Sequence, residues 1–267
     1  MTKKIAFFDI DGTLINVPTG INEPTPKTIQ VLKQFQKEGN LIFIATARGS
    51  LPFNKDLIHF DGFIGNDGHY ILYNDKVLID DLFTLEEIKK QFETYEQYDG
   101  RFIFSGHQNS WSTYWEDEYM IKHTKMFSPT TNKPDNLIEK FNYEDIQAIA
   151  CCVLFKNVED LENAYQALKD HFTIVAYRTG LIRMDVYRKG FTKGTAVKYV
   201  YEKLGIPKEH TYAFGDGIND KEMIELVGRG IAMGNAIQEL KDVADEITTS
   251  VVDDGIANYF SLKLLDL

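Results

Sequence analysis

The chain has 267 residues, 43% of them hydrophobic and 26% charged, and a formal net charge of −11 at pH 7. That excess of carboxylates speaks against a nucleic-acid partner or an anionic membrane surface, and no segment reaches the roughly 20 apolar residues needed to span a bilayer. The length suffices for a full core plus a second, smaller domain.

The first predicted element lies in residues 5–14, which read Ile-Ala-Phe-Phe-Asp-Ile-Asp-Gly-Thr-Leu. The apolar run suits a strand buried on both faces of a parallel sheet. It ends in two carboxylates one residue apart, Asp9 and Asp11, at the rim where open α/β sheets bind ligands. Two carboxylates 4 Å apart repel by about 4 kcal/mol at an effective dielectric of 20, so keeping both ionised requires a cation. Mg²⁺, which takes a few hard oxygens from protein and others from substrate phosphate, is the natural candidate. A carboxylate beside such an ion can attack phosphorus and form an aspartyl phosphate. Taken alone, the pair also fits an Asp-Gly turn that closes a strand. The basic start Met1-Thr2-Lys3-Lys4 precedes too few apolar residues before Asp9 for a signal peptide, so a cytoplasmic protein is expected.

Thr25-Pro26 opens a helix carrying Ile29, Leu32 and Phe35 along one side, and Gly39 closes it. Leu41–Ala45 is a second buried strand, ending at Thr46. Strand, helix and strand make a βαβ unit with an expected right-handed crossover, which brings Asp9 and Thr46 to one rim. Residues 70–79 read as a hairpin turning at Asn74-Asp75.

Around Leu82 the pattern changes. Thr84-Leu85-Glu86-Glu87 is a capping-box sequence leading into Ile88, Phe92 and Tyr95. Strand-like stretches follow at residues 101–104 and 148–155, then a helix over 158–171 and a hairpin through Thr179-Gly180. This is an α+β insertion. Within it, Cys151 and Cys152 read as reduced strand residues of a cytosolic protein. The aromatics Trp111, Tyr114 and Trp115, with His107 and His123, are expected to build core or surface more often than to touch a ligand. The six histidines of the chain show no zinc-ligand spacing.

The βα alternation then resumes. A helix with Val197, Val200, Tyr201 and Leu204 in register follows Thr192-Lys193-Gly194-Thr195-Ala196. A strand over 211–214 ends in Gly215-Asp216-Gly217-Ile218-Asn219-Asp220, and a further helix and a strand reaching Met233 complete the pattern. The glycines permit tight turns beside a ligand. The hydroxyl of Thr46, the ammonium of Lys193 and backbone donors are what a phosphoryl group needs to be held. The predicted organisation is a discontinuous core, residues 1–82 and 188–267, interrupted by residues 83–187.

These motifs resemble those of the haloacid dehalogenase superfamily of phosphatases, and most closely its Cof-type branch of sugar-phosphate and small-phosphoester hydrolases. Asp9-Ile10-Asp11-Gly12-Thr13, Thr46, Lys193 and Gly215–Asp220 stand in family order, and Ala232-Met233-Gly234-Asn235-Ala236 with Lys241, Ala244 and Asp245 is also similar to that branch. The resemblance implies an α/β fold: a Rossmann-like parallel-sheet core, with an inserted α+β cap that covers the active site. It implies a Mg²⁺-dependent phosphatase in which Asp9 is the nucleophile and Asp11 the acid and base. Asp216 is then a direct metal ligand with Asp9 and the Asp11 carbonyl. Asp220 joins the metal site from behind or caps a helix, two roles that are compatible. Asn219 matches the family's phosphate-contacting amide, beside Thr46 and Lys193. Arg48 stands between substrate contact and a plain surface arginine. Ala47 occupies a position where the branch commonly has glycine, which leaves the local loop shape open.

The expected partner is a small phosphate ester, with no nucleic acid, membrane or protein partner implied. Two other readings share the residues. A phosphomutase would return the phosphoryl group to a sugar, so that solvent oxygen would not enter released phosphate. A phosphometabolite-binding regulator would bind ligand saturably without phosphate release.

Overall fold

The computed structural model describes residues 3–127 and 133–263, so Met1 and Thr2 of the basic start lie outside the described residues. The chain divides into two compact units, residues 1–79 with 191–267 and residues 80–190.

The first unit begins with β1 (Ile5–Phe8), α1 (Pro26–Lys37), β2 (Leu41–Ala45), β3 (Gly62–Gly65), β4 (Tyr70–Tyr73) and β5 (Lys76–Asp80), which reaches the unit boundary. Thr25 caps α1 by accepting from the Thr28 amide at 3.2 Å, and Gly39, at φ +86°, takes the left-handed turn that ends it. Asn74 and Asp75 both adopt positive φ, the conformation that a two-residue hairpin turn between β4 and β5 requires.

The second unit holds α2 (Leu85–Gln97), β6 (Arg101–Ser105), β7 (Ser110–Trp111), α3 (Glu118–Phe127), β8 (Leu137–Ile138), β9 (Ala150–Leu154), α4 (Val158–Leu168), β10 (Phe172–Tyr177) and β11 (Arg183–Arg188). Its sheet runs β10-β11-β9-β6-β7-β8. The Thr84 capping box is formed in full. Phe83, Phe92, Phe102, Phe104 and Trp111 fill its apolar core, with Tyr114 packed against it. Cys151 belongs to that core and neither cysteine is bridged. His107 pairs with Asp80 at 2.7 Å. His123 approaches the Cys152 thiol at 3.6 Å, and burial, helped by the Arg183 charge, pushes its pKa down to about 4.

The chain returns to the first unit through α5 (Lys193–Lys203), β12 (Thr211–Gly215), α6 (Lys221–Leu226), β13 (Arg229–Ala232), α7 (Gln238–Lys241), β14 (Glu246–Ile247) and α8 (Gly255–Lys263). The eight-stranded sheet runs β14-β13-β12-β1-β2-β3-β4-β5; β14 to β3 are mutually parallel and β4 runs against β3. Apolar side chains bury both faces, one with α1 and α8 and the other with α5, α6 and α7. On the first face Phe8 stacks on Phe214 at 5.0 Å and Phe35 meets Phe260 edge-on at 5.1 Å. Each such side chain contributes about 2 kcal/mol by leaving water. No helix among the described residues is long and apolar enough to cross a membrane.

Register decides what this sheet presents. Phe8 lies opposite both Ile44 and Phe214 in parallel pairing, so β1, β2 and β12 finish level with one another. The residues that follow them, Asp9, Thr46 and Asp216, therefore emerge on one rim.

Candidate active site

Asp9 is held where β1 ends: its amide donates to the Phe214 carbonyl at 3.0 Å and its carboxylate is buried. The chain then turns sharply. Gly12 has φ +85° and lies so close to the Asp216 carboxylate that any Cβ would collide with it, so only glycine serves there. Thr13 and Asn235 both donate to Asp216, at 3.3 and 3.4 Å, and Asn235 also donates to the Gly12 carbonyl at 2.8 Å. The loop 232–236 is a buttress to the first acidic loop. Lys241 in turn donates to Gly234 at 2.7 Å, and Asp245 accepts from the Gly230 amide at 2.7 Å.

Lys193 opens α5, whose N-cap Thr192 accepts from the Thr195 amide at 3.1 Å. That cap aims a 1% exposed ammonium at Asp220, 2.7 Å away, and at Asp9 Oδ1, 2.8 Å away. Burial opposes the charge on Lys193, but Asp220, Asp9 and Asp67 outweigh it and hold its pKa above the ordinary value. For Asp9 the balance is reversed. Burial raises its pKa well above the usual carboxylate range, Lys193 pulls it down, and Asp220 and Asp216 push it up again. Burial and the Asp220 charge push Asp216 up to about 7.

Asp220 is fully occupied. One oxygen accepts from Lys193 and the other from the amides of Asp216 and Gly217 at 2.9 and 3.0 Å. It thus ties its own loop and orients the lysine at once. Thr46 is buried, and its hydroxyl accepts from the Arg48 amide at 3.2 Å. The Arg48 side chain clamps Asp11 with two parallel hydrogen bonds, Nε to Oδ2 at 2.6 Å and Nη2 to Oδ1 at 2.7 Å, the bidentate geometry at which arginine excels. Its observed partner is the acid of the proposed chemistry.

Asn219 donates from Nδ2 to Asp67 Oδ1 at 3.1 Å, and Lys193 Nζ lies 3.9 Å from that same oxygen. The sequence reading placed Thr13 and Asn235 within motifs but gave neither a role, and nothing in it pointed to Asp67. For Asp67 the signal is conformational: Asn66 and Asp67 both have φ of 49°, a left-handed pair of non-glycine residues, each costing about 1–3 kcal/mol.

Oxygens of Asp9, Asp216 and Asp220 lie within 4.8 Å of one another. Asp67 adds a fourth carboxylate to the single ammonium of Lys193, a surplus of negative charge. Hard oxygen donors in such surplus, with two pKa values forced upward, fit a divalent cation.

The chain matches the family model for haloacid dehalogenase-like hydrolases over residues 6–260. It is 32% identical over 271 residues to YkrA of Bacillus subtilis, a provisionally named phosphatase, covering 100% of this chain and 99% of that one. It is 26% identical to the 5-amino-6-(5-phospho-D-ribitylamino)uracil phosphatase YitU of the same organism, covering 95% and 96%. Among solved structures, the subclass IIB sugar phosphatase BT4131 superposes with a TM-score of 0.79 at 26% identity, covering 97% and 98%. The chain belongs to the haloacid dehalogenase-like hydrolase family and, within it, is a phosphatase.

Proposed function

We propose that the enzyme is Mg²⁺-dependent and hydrolyses a small soluble phosphoester, of the sugar-phosphate kind, through an aspartyl phosphate on Asp9. One observation carries this reading. Lys193 anchors Asp9 Oδ1, while no hydrogen bond from any described residue holds Oδ2. The first fixes the carboxylate and the second leaves an oxygen to attack. Asp9, Asp216 and the Asp11 carbonyl would hold the ion, with Asp220 behind them. When bound, Mg²⁺ screens the carboxylates from one another and draws charge from a phosphoryl oxygen.

In the first step Asp9 Oδ2 bonds to phosphorus while the bond to the ester oxygen breaks. Asp11, as the general acid, gives a proton to that leaving oxygen. In the second step Asp11 takes a proton from water, the hydroxide bonds to phosphorus, and the bond to Asp9 breaks. Inorganic phosphate and a free carboxylate result. Lys193, the Thr46 hydroxyl and the Asn219 amide hold the phosphoryl oxygens throughout. The sugar-phosphate preference is supported by the named activities of YitU and BT4131.

The test is phosphate release from a panel of phosphosugars with Mg²⁺, using wild type and Asp9→Asn. Release that needs Mg²⁺ and disappears in the variant supports the reading; undiminished turnover removes Asp9 as nucleophile.

A further inference from the structure

Three groups in the proposed chemistry hold the phosphoryl oxygens: Thr46 after β2, Lys193 at the start of α5 and Asn219 after β12. They lie far apart in sequence and on separate elements. A single residue outside the predicted set touches all three segments. The Asp67 amide donates to the Thr46 carbonyl at 3.0 Å. Its Oδ1 accepts from Asn219 Nδ2 at 3.1 Å and lies 3.9 Å from the Lys193 ammonium.

The backbone around Asp67 is built for this placement. The Asn66 amide donates to the Arg48 carbonyl at 3.1 Å, so the 66–67 turn is bonded twice to the segment that carries Thr46. Gly68, at φ +106°, brings the same turn so close to the Thr192 carbonyl that no Cβ would fit. Asp67 itself is buried, with φ 49° and ψ 35°. Only a minority of non-glycine residues adopt this conformation, and such residues cluster where geometry serves a site. Its charge is also unexpected: Lys193 already has Asp9 and Asp220 as partners. A third carboxylate beside one ammonium adds repulsion that folding alone does not require.

We propose that Asp67 is a positioning residue that brings Thr46, Lys193 and Asn219 to a common geometry for binding the phosphoryl group. Asp67 touches none of the reacting atoms. By accepting one N–H of Asn219 it turns the amide, leaving the second N–H directed at phosphate. Through its backbone it sets the Thr46 segment, and by its charge it restrains the Lys193 ammonium. This rests on the reading that these three groups hold the phosphoryl oxygens.

The test compares wild type with Asp67→Gly, Asp67→Asn and Asp9→Asn, measuring thermal midpoint, kcat, KM and calorimetric binding of inorganic phosphate with Mg²⁺. Glycine suits the positive φ and removes a buried negative charge, so Asp67→Gly is expected to melt at or above the wild-type midpoint. The same variant should bind phosphate at least tenfold more weakly and lose about 10- to 100-fold in kcat/KM. Asparagine tolerates the turn and keeps an acceptor for Asn219, so Asp67→Asn should retain phosphate affinity within about threefold. A gain in stability with a loss of phosphate binding is the opposite of what a merely structural residue shows. The proposal is overturned if Asp67→Gly keeps phosphate affinity and kcat/KM within twofold while Asp9→Asn is inactive. It is equally overturned if activity falls only in step with a lowered midpoint. If Asp9→Asn turns over normally, the underlying reading of the site fails and takes this inference with it.

Discussion

The two units arrange their charges in opposite ways. In the first, Asp9, Asp67, Asp216 and Asp220 crowd around the one ammonium of Lys193. In the second, cations are matched by carboxylates: Arg101 by Asp99 and Asp117, Arg188 by Asp81 and Glu87, Lys156 by Asp99. Matched pairs near the surface add little, about 0–1 kcal/mol each. An unmatched buried cluster is costly to fold, and its persistence points to chemistry. The contrast singles out the acidic cluster beside Lys193 as the candidate site without reference to any bound group.

The largest expected effect breaks the crowded side. Asp9→Asn should lower phosphate release by roughly 10⁴-fold or more, while the thermal midpoint holds or rises because a buried carboxylate has gone. Steady-state kinetics and a melting curve on the same preparation check both halves. Lys193→Met should act on both properties. It leaves Asp9 and Asp220 without their cation, so we expect a stability loss of about 3–5 kcal/mol in urea without divalent ions, together with loss of turnover. Unchanged stability would mean that neighbouring groups or water neutralise the carboxylates.

In the second unit stability resides in packing. Phe104, which stacks on Phe92 at 5.3 Å, should cost about 3–5 kcal/mol when changed to Ala, as read from denaturant midpoints. The smallest effect belongs to the exposed pair of Lys156 and Asp99, whose side chains are 49% and 58% exposed. Lys156→Ala should change stability by less than about 1 kcal/mol, and less still at high salt.

The acidic cluster also predicts a pH dependence. Asp216 carries a pKa of about 7 in the fold against an ordinary 3.8. The folded state therefore keeps this proton over a range where the unfolded chain has released it, and stability falls as pH rises between those values. Without divalent ions the thermal midpoint should drop from about pH 4 to about pH 7 on account of this group. Added Mg²⁺ should restore it near pH 7 and do much less near pH 5, where the proton competes with the ion. A Mg²⁺ effect of equal size at both values would detach Asp216 from the ion.

Much of this was legible beforehand, for physical reasons. The α/β class followed from apolar runs and punctuating helices. The convergence of Asp9, Thr46 and Asp216 follows because parallel strands in register end level. Lys193 was marked by the Gly194-Thr195-Ala196 that follows it. Other features left no local trace. Asn66-Asp67-Gly68 reads as an ordinary turn, and only its positive φ values single it out. The clamp of Arg48 on Asp11 joins residues 37 apart. α3 was not read from sequence, and β7 and β8, two residues each, are too short for any periodicity. The insertion was expected over 83–187, whereas the chain divides at residues 80 and 190.

The central claim is that Asp9 accepts phosphorus while a divalent ion and Lys193 neutralise the carboxylates around it. A crystal grown with Mg²⁺ and orthovanadate tests it most directly. The account predicts vanadium bonded to Asp9 Oδ2, with Mg²⁺ on Asp9, Asp216 and the Asp11 carbonyl and Lys193 still on Asp9 Oδ1. Vanadium seated away from Asp9, or a metal bound elsewhere, would contradict it.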